Sequence, residues 1–433
     1  MSPLCLAENL PLTLAEAVNT ALHNRTEMHI EKAQLDISQA KINQAQAVFR
    51  PSLDLAGSAQ RIKLYDDFTG VAITGQVGEE SVNLALAKTS PRYQVSTGLE
   101  LTYNLYAGGA DSAKLREAIA NDSAARAQQA LTRRKVILET ARAYWAVSKA
   151  QINLQTASRK VDYSRAAQHS ASIQRAAGRI SQIAHQNALL EVYEKQTLAN
   201  QEKLKLADAL QKYRVALGLE VRDTLEPHDL PALADVSSAY EFLESQLLHP
   251  QLQKGQAQSE AALARVEIAR AARRPKIDIF AHYGFIGRDD TRLASSLREQ
   301  ERDYAAIGMR LSLNLFDGYR TQENIVQASA ETELAKLQHR LSETELLTLS
   351  REKALTLTLV EDEIALMEQK LALQRAKEKI GKTQWRAGLA SELEYQETFL
   401  ALQETEARLK ILKIDRALAR LDATLNSPLG RQN

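Results

Sequence analysis

The stretch LELTYNLYAGG, Leu99 to Gly109, decides the fold of this 433-residue chain. It alternates apolar and polar residues, as a two-faced β-strand does, and then stops at a pair of glycines. The next glycine or proline is Gly178, so a long helix is predicted directly after the strand. A second stretch, LSLNLFDGY from Leu311 to Tyr319, repeats the order of strand, glycine and helix. The fold must therefore explain why one chain twice runs a two-faced strand into a long helix.

The two stretches belong to a tandem duplication. An offset of 210 residues aligns Gly108 with Gly318, and the motif RAAGRIS with the motif WRAGLAS. Upstream, an offset of 224 residues aligns Pro51 of FRPSLDL with Pro275 of RRPKIDI. Because repeats decide the whole architecture, we interpret the chain as one structural unit written twice.

The glycines and prolines, which interrupt helices and strands, divide both copies into the same elements. The predicted segments are a signal-peptide remnant at 1–7, a first repeat at 8–218, a connecting segment at 219–250, a second repeat at 251–427 and a C-terminal tail at 428–433. Predicted strands lie at about 52–64, 93–106, 276–286 and 304–316, long helices at 110–177 and 319–384, and return helices at 179–217 and 389–427. The remnant is inferred from Cys5-Leu6-Ala7, which has the small-x-small form of a cleavage site. An ordinary frayed terminus is the alternative; lipidation of Cys5 is disfavoured because Leu4 is bulky.

Composition and motifs exclude several classes of function. Basic and acidic residues are balanced, 55 against 54, so nothing predicts a nucleic-acid partner. The single cysteine excludes an internal disulfide and a cysteine-rich metal site. The chain contains no HExxH, phosphate loop, dinucleotide fingerprint or nucleophile elbow, and its eight histidines are scattered. We therefore predict no enzyme, no metal site and no cofactor.

The helices alone do not distinguish a membrane protein from a structural coiled-coil protein. A helix of 65 residues is roughly 100 Å long, several times the diameter of a small domain. The helix before each proline and the return helix together match that length, which predicts paired rods, one continuous and one broken. A soluble or periplasmic structural coiled-coil protein would have the same rods.

The strands favour a membrane protein over a coiled coil. Odd positions from Tyr93 to Leu105 are mostly apolar and even positions are small or polar. Such alternation suits a membrane strand of about 9 to 11 residues, apolar towards lipid and polar towards a lumen. No apolar run approaches the roughly 20 residues that a membrane helix needs. Four strands do not close a barrel, and open sheet edges do not face lipid, so an oligomer is predicted.

The order of elements and the paired motifs resemble the TolC family of outer membrane factors. The motifs are RPSLDL and RPKIDI, YNLYAGG and LNLFDGY, and AGRIS and AGLAS. The resemblance implies a mainly α fold with a membrane β-barrel portion, in which a homotrimer contributes four strands per protomer to a 12-stranded barrel in outer membrane lipid. It also implies a periplasmic tunnel of long antiparallel helices with an equatorial belt at 219–250. Members serve as passive exit ducts for efflux or type I secretion, together with a periplasmic adaptor protein and an inner membrane transporter.

The resemblance also implies the site residues. Acidic side chains ring the periplasmic entrance of family members at positions that correspond here to Glu394 and Glu397, and Trp385 occupies the position of a constriction aromatic. Two solvated glutamates on a helix surface are the simpler reading. The residues implied for adaptor docking at the helix turns are Gly178, Arg179, Gly388 and Leu389. Ala390 and Ala184 stand where the family places an arginine and an acid that link the closed tunnel, which predicts a resting constriction held differently or less tightly.

Overall fold

The computed structural model describes residues 13–61, 72–77, 80–85, 93–219, 248–289, 292–298 and 302–427. The predicted remnant at 1–7, the tail at 428–433 and nearly all of the connecting segment at 219–250 lie outside these residues. The described helices are α1 (Leu14–Asn24), α2 (Thr26–Ala47), α3 (Ala110–Ala176), α4 (Gln182–Ala216), α5 (Pro250–Ala271), α6 (Leu293–Arg298), α7 (Arg320–Arg386) and α8 (Glu392–Leu425). The described strands are β1 (Ser52–Arg61), β2 (Ala72–Val77), β3 (Glu80–Ala85), β4 (Tyr93–Ala107), β5 (Lys276–Asp289) and β6 (Arg302–Ser312).

The duplication is visible in the element lengths. The helices α3 and α7 both have 67 residues, and α2 and α5 both have 22. Glycine sets the boundary between β4 and α3: Gly108 has φ +66, and a Cβ there would lie 2.6 Å from the carbonyl oxygen of Ala271. Only a residue without a side chain fits this close approach in a left-handed conformation.

The main sheet is antiparallel, with the strand order β1-β4-β5-β6. Its central pair joins the two copies, because β4 of the first copy pairs with β5 of the second, with Leu99 opposite Tyr283. A bulge after Asn104 shifts the register, so Tyr106 pairs with Ile277 and the predicted alternation ends there. Val95 also departs from the prediction, since it is buried although its position predicts the lipid side.

Both connections between the predicted strands contain additional structure. The connection between the strands predicted at about 52–64 and 93–106 holds the hairpin β2–β3, so the described residues form six strands rather than the four predicted. Its segments AITGQV and ESVNLA are short alternating runs separated by two residues, which is a hairpin pattern that the prediction overlooked. The second connection contains α6, which packs against β4 and β5.

The chain divides into two compact units, and each unit draws on both copies. The helical unit comprises residues within Met1–Ile37, Asp122–Gln258 and Ala335–Asn433. The sheet unit comprises residues within Ser38–Asn121 and Ser259–Leu334. The two copies are therefore interleaved, with helices and strands of one packed directly against those of the other.

The core of the helical unit lies where α1, α3, α4 and α8 meet. Its largest fully buried side chains include Trp145, Tyr144 and Tyr213, and the rings of the two tyrosines pack edge to face at 5.8 Å. The helix α1 begins with a capping box between Thr13 and Glu16. Burial of large aromatics contributes most to such a core.

Candidate channel entrance

Two tight turns join the long helices to the return helices. Gly178 and Gly388 have φ +70 and +72. Each is the residue of left-handed conformation that ends its long helix in a Schellman motif. The bonds in the first turn run from Gly178 N–H to Arg175 O at 2.8 Å and from Arg179 N–H to Gln174 O at 2.8 Å. Those in the second run from Gly388 N–H to Trp385 O at 2.9 Å and from Leu389 N–H to Gln384 O at 2.8 Å. The four residues named for docking are therefore the tips of the two hairpins, and Leu389 is 80% exposed.

The carboxylate of Glu394 closes a capping box at the start of α8. It accepts the N–H of Ser391 at 2.7 Å, while its own N–H donates to Ser391 Oγ at 3.3 Å. These bonds lower the pKa of Glu394 below its ordinary value, so its charge persists at neutral pH. Glu394 is thus exposed but held against its own helix start, which the sequence pattern S-x-x-E indicates.

Glu397 lies one turn further along α8 and is exposed. Burial raises the pKa of Tyr163 on α3, and the negative charges of Glu397 and of Glu191 on α4 raise it further. Carboxylates from two helices therefore lie near one phenol of a third. The charge of Glu397 therefore acts on a side chain of α3, whereas the carboxylate of Glu394 is engaged at the start of its own helix.

Trp385 forms an aromatic stack that the sequence reasoning missed. Its ring lies parallel to that of Tyr395, with centroids 5.1 Å apart, and Tyr395 in turn lies 6.2 Å from Phe399. The hydroxyl of Tyr395 donates to Glu378 at 3.0 Å. The spacing of four residues between Tyr395 and Phe399 on one helix was the available signal. The stack joins α7 to α8 immediately beside the second turn.

The two faces of the sheet differ in chemistry. One side bears a cavity of about 1000 Å³ whose lining includes Ser52, Thr102, Asn104, Lys276, Asp278 and Ser312. The other side bears a shallow groove of about 390 Å³ lined mainly by Leu53, Leu99, Leu101, Ala281, Tyr283 and Ile307. Leu53, Leu99, Leu101 and Ile307 are exposed in the protomer. A sheet with one polar face and one exposed apolar face suits a wall between water and lipid.

The part of the chain that the structure describes also bears on metal sites and membrane helices. No group of three histidine, cysteine or acidic side chains there is placed to hold a metal ion. In the same residues, no helix combines the length and the apolar character needed to cross a membrane.

Comparison with known proteins gives a family match over most of the chain. The profile described as outer membrane efflux protein matches residues 17–219 and 244–431. Protein CyaE of Bordetella pertussis is 30% identical over 334 residues, which is 74% of this chain. The matched region spans 64% of the length of CyaE.

Solved structures show the same fold at low sequence identity. The CmeC outer membrane channel of Campylobacter jejuni matches with a TM-score of 0.72 and 16% identity, covering 97% of this chain and 87% of its own. The outer membrane protein VceC of Vibrio cholerae matches with a TM-score of 0.70 and 19% identity, covering 95% and 96%. The predicted combination of long antiparallel helices and a small antiparallel sheet is confirmed.

Proposed function

The chain belongs to the outer membrane efflux protein family, and on this basis we propose that it is a trimeric channel-tunnel that serves as a passive exit duct. Channels of this family are homotrimers of the outer membrane that extend into the periplasm and work with adaptor proteins and inner membrane transporters. The family and the fold are those of channel proteins rather than enzymes. The channel exports either drugs, as part of an efflux pump, or a protein, as part of a type I secretion system. The inner membrane transporter supplies the energy.

The two-faced sheet carries this proposal. Its outer strands β1 and β6 are the edges of the order β1-β4-β5-β6, and an unpaired edge is not stable in lipid. Three protomers would pair these edges and close a barrel of about 12 strands with the polar faces inward. The alternative is a soluble coiled-coil protein, in which the apolar face of the sheet would be exposed to water. The family match does not favour this alternative.

The test compares one charge on each face of β4. Leu101→Arg places a cation on the apolar face, where it costs about 2 to 4 kcal/mol at the middle of the bilayer. Thr102→Arg, the matched control, places the same charge on the polar face. We expect the first variant to lose outer membrane insertion and the second to retain conductance in a planar bilayer. Full recovery of the native protein in the aqueous fraction without detergent would contradict the channel.

The helix tips would form the periplasmic end. We propose that the turns at Gly178–Arg179 and Gly388–Leu389 dock onto the periplasmic adaptor, supported by their exposure and their rigid Schellman geometry. Glycine lets each turn close without strain at positive φ, and an added Cβ would meet no atom within 4 Å. Leu389 is the exposed apolar side chain at the tip of the second turn. Because a charge there would disfavour an apolar contact with the adaptor, Leu389→Asp should weaken adaptor pull-down and leave bilayer conductance unchanged.

Glu394 and Glu397 would line the entrance and favour cations. Three copies would bring about six carboxylates into one mouth, which attracts cations electrostatically. Glu394→Gln keeps a side chain that still closes a capping box, so it tests the charge alone. We expect both glutamine variants to lower the cation selectivity measured from reversal potentials. The Glu397 variant should lower it more, because the carboxylate of Glu394 is held by its own helix. Unchanged reversal potentials in both would exclude these residues from the pore.

The resting entrance would be held by packing rather than by charge. Ala390 and Ala184 offer neither a charge nor a hydroxyl, whereas Trp385 and Tyr395 stack within one protomer. Adding Ala390→Arg together with Ala184→Asp should create a new link and lower single-channel conductance. Conductance that stays at the native level would contradict this account.

A further inference from the structure

Three aromatic rings lie on the polar face of the sheet, the face proposed above to line the lumen. Phe280 and His282 follow Asp278 at every second position of β5, so they share its face. Tyr304 on β6 pairs with Gly284, which belongs to the same series. The other side chains of this face are mostly small or polar. Because strand side chains usually stand upright on a sheet, three large rings here would be expected to project into the lumen.

The exposure of these rings shows that they do not stand upright. On the apolar face of the same strand, Tyr283 and Phe285 are 50% and 40% exposed. Phe280, His282 and Tyr304 are half-buried, although nothing in the protomer covers their face of the sheet from above. The rings of the polar face are therefore covered by the sheet itself.

The ring of Phe280 leans across to the neighbouring strand. Phe280 on β5 pairs with Gly308 on β6. A Cβ at Gly308 would lie 2.7 Å from Cζ and 3.0 Å from Cε1 of the ring, so the ring occupies the space of the missing side chain. Adjacent strands are only about 4.8 Å apart, which a phenyl ring spans when it lies sideways. The guanidinium carbon of Arg310 lies 5.3 Å from the ring centroid, and this cation–π contact also holds the ring in place.

The ring of His282 leans the opposite way, towards β4. Gly98 on β4 pairs with Gly284 on β5, and a Cβ on either would lie close to Nε2 of His282, at 2.9 and 3.1 Å. Tyr304 reaches in from β6. Its ring is stacked on the imidazole with centroids 4.6 Å apart, and its hydroxyl shares a hydrogen bond with Nε2 of His282. The imidazole and the phenol thus fill the space that two facing glycines leave open.

The two covered glycines hold one position in the duplicated unit. The offset of 210 carries Gly98 onto Gly308, and the offset of 224 carries Ala56 onto Phe280. Accordingly Gly98 pairs with Ala56 in the first copy, as Gly308 pairs with Phe280 in the second. Since Ala56 has no ring, Gly98 is covered from its other side by His282. The strand β5 therefore supplies a ring to the same glycine of both copies.

We propose that Gly98 and Gly308 set the width of the barrel lumen, and with it the size of the cargo that passes, by letting the rings of β5 and β6 lie along the wall. The proposal rests on the channel proposed above. A side chain at Gly308 would force the ring of Phe280 to rise from the wall. In a trimer, three such rings would stand in one cross-section of a barrel whose diameter is otherwise set by its strand number.

A ring over a glycine also stabilises a sheet, because it covers backbone that the glycine leaves open. Stability alone does not require that the rings lie on the lumen side, and its loss would be seen in unfolding and not in the width of the channel. The width of the barrel is therefore the property to measure.

Gly308 is the cleaner of the two positions for a test. A Cβ at Gly98 would also meet the backbone, at 2.9 Å from the carbonyl oxygen of Tyr283 and 3.0 Å from Cα of Gly284. At Gly308 the three nearest atoms all belong to the ring of Phe280. A methyl group added there acts on the ring and leaves the strand pairing alone.

Polymer exclusion measures the width of the barrel. The native chain and Gly308→Ala are inserted into planar bilayers, and neutral polyethylene glycols of graded length are added on the barrel side. A polymer narrow enough to enter displaces electrolyte and lowers the single-channel conductance, whereas a wider polymer stays outside. We expect Gly308→Ala to shift the cut-off to shorter polymers. Because the polymer enters from the barrel side, this cut-off does not depend on the proposed entrance at the helix tips.

Two variants control for the substitution itself. Gly57→Ala adds the same methyl group to β1, where the nearest atoms would lie at 3.7 and 3.8 Å, an ordinary contact distance. It should keep the native cut-off. Gly308→Ala combined with Phe280→Ala keeps the added methyl group and removes the ring. It should accept polymers at least as long as those that enter the native channel.

Each other result contradicts a defined step. An unchanged cut-off in Gly308→Ala, or a shortened one in the double variant, would overturn the inference and leave the channel standing. A Gly308→Ala chain that fails to reach the outer membrane would overturn it as well, because the ring would then have no freedom to leave the wall. A native chain that does not conduct would overturn the channel itself.

Discussion

The two copies of the repeated unit have nearly the same helix lengths, but their equivalent helices differ in how much apolar surface they bury. In the first copy α3 runs through the core of the helical unit, whereas in the second copy α7 has an apolar face exposed. The first copy holds an arginine just before α2, Arg25, where the second holds a histidine just before α5, His249. Duplication thus fixes where helices begin and end, while substitutions decide which copies face each other inside a protomer. The differences between equivalent positions can be tested one pair at a time.

The largest expected contrast is between Trp145 and Leu355. Trp145→Ala removes a fully buried indole and should lower the free energy of unfolding by about 3 to 5 kcal/mol. Leu355→Ala, at the equivalent exposed position, should change it by less than about 0.5 kcal/mol. Denaturant unfolding of the monomer, followed by circular dichroism, measures both. Equal losses would show that the α7 face is covered within the protomer.

A smaller contrast separates His249 and Arg25 in their response to pH. Nδ1 of His249 accepts the N–H of Gln251 at 3.1 Å, and Nε2–H donates to Leu425 O at 3.2 Å, so the ring is neutral. Burial and, to a smaller extent, the charge of Arg134 together lower the pKa of His249 to about 4. Arg25 instead pairs with carboxylates and stays charged.

The sign follows from which state binds the proton. Unfolded His249 takes up a proton near pH 6.5 and the folded residue does so only near 4, so the stability contribution is full above pH 6.5. It should be lost progressively as the pH falls to 4, by at most about 3 kcal/mol. His249→Gln should flatten the dependence of the unfolding free energy on pH between about 6.5 and 5. Arg25→Gln should leave the slope there in place, because Arg25 lowers the pKa of Glu27 from 4.5 and therefore acts only in more acid solution. A slope that survives in the His249 variant would contradict this assignment.

The sequence predicted the fold well because its main signals are long-range and redundant. The glycines at the element boundaries, such as Gly108 and Gly178, mark conformations that few other residues adopt, and the offset of 210 confirms each one. The alternation of β4 likewise predicted a two-faced strand. The bulge after Asn104 and the burial of Val95 escaped prediction because they depend on partners across the sheet and not on local pattern.

The candidate entrance was less accessible to sequence reasoning. The positions of Glu394 and Trp385 follow from the family, but their contacts depend on how two helices align. The capping role of Glu394 is local and could be recognised from Ser391 three residues before it. The stack of Trp385 on Tyr395 joins two helices across a turn, so no spacing along one helix predicts it.

The smallest expected contrast is between the two turns themselves. Ser181 caps α4 by accepting the N–H of Ala184 at 3.2 Å, whereas Ser391 caps α8 in a reciprocal box with Glu394. Ser391→Ala should cost about 1 to 2 kcal/mol of local stability and Ser181→Ala about 0.5 to 1, because only the former loses two bonds. Hydrogen exchange of the first turn of each return helix measures the difference.

The pH dependence of this local exchange then identifies the role of the carboxylate. The bonds to Ser391 lower the pKa of Glu394, so the box is intact above its ordinary value of 4.5 and weakens only as the pH falls through the lowered pKa. The turn at Ser181 has no acid and should show no such loss. If both turns lost protection equally on substitution, and equally in acid, the box would contribute nothing. Glu394 would then be as free as Glu397 to act in the channel entrance.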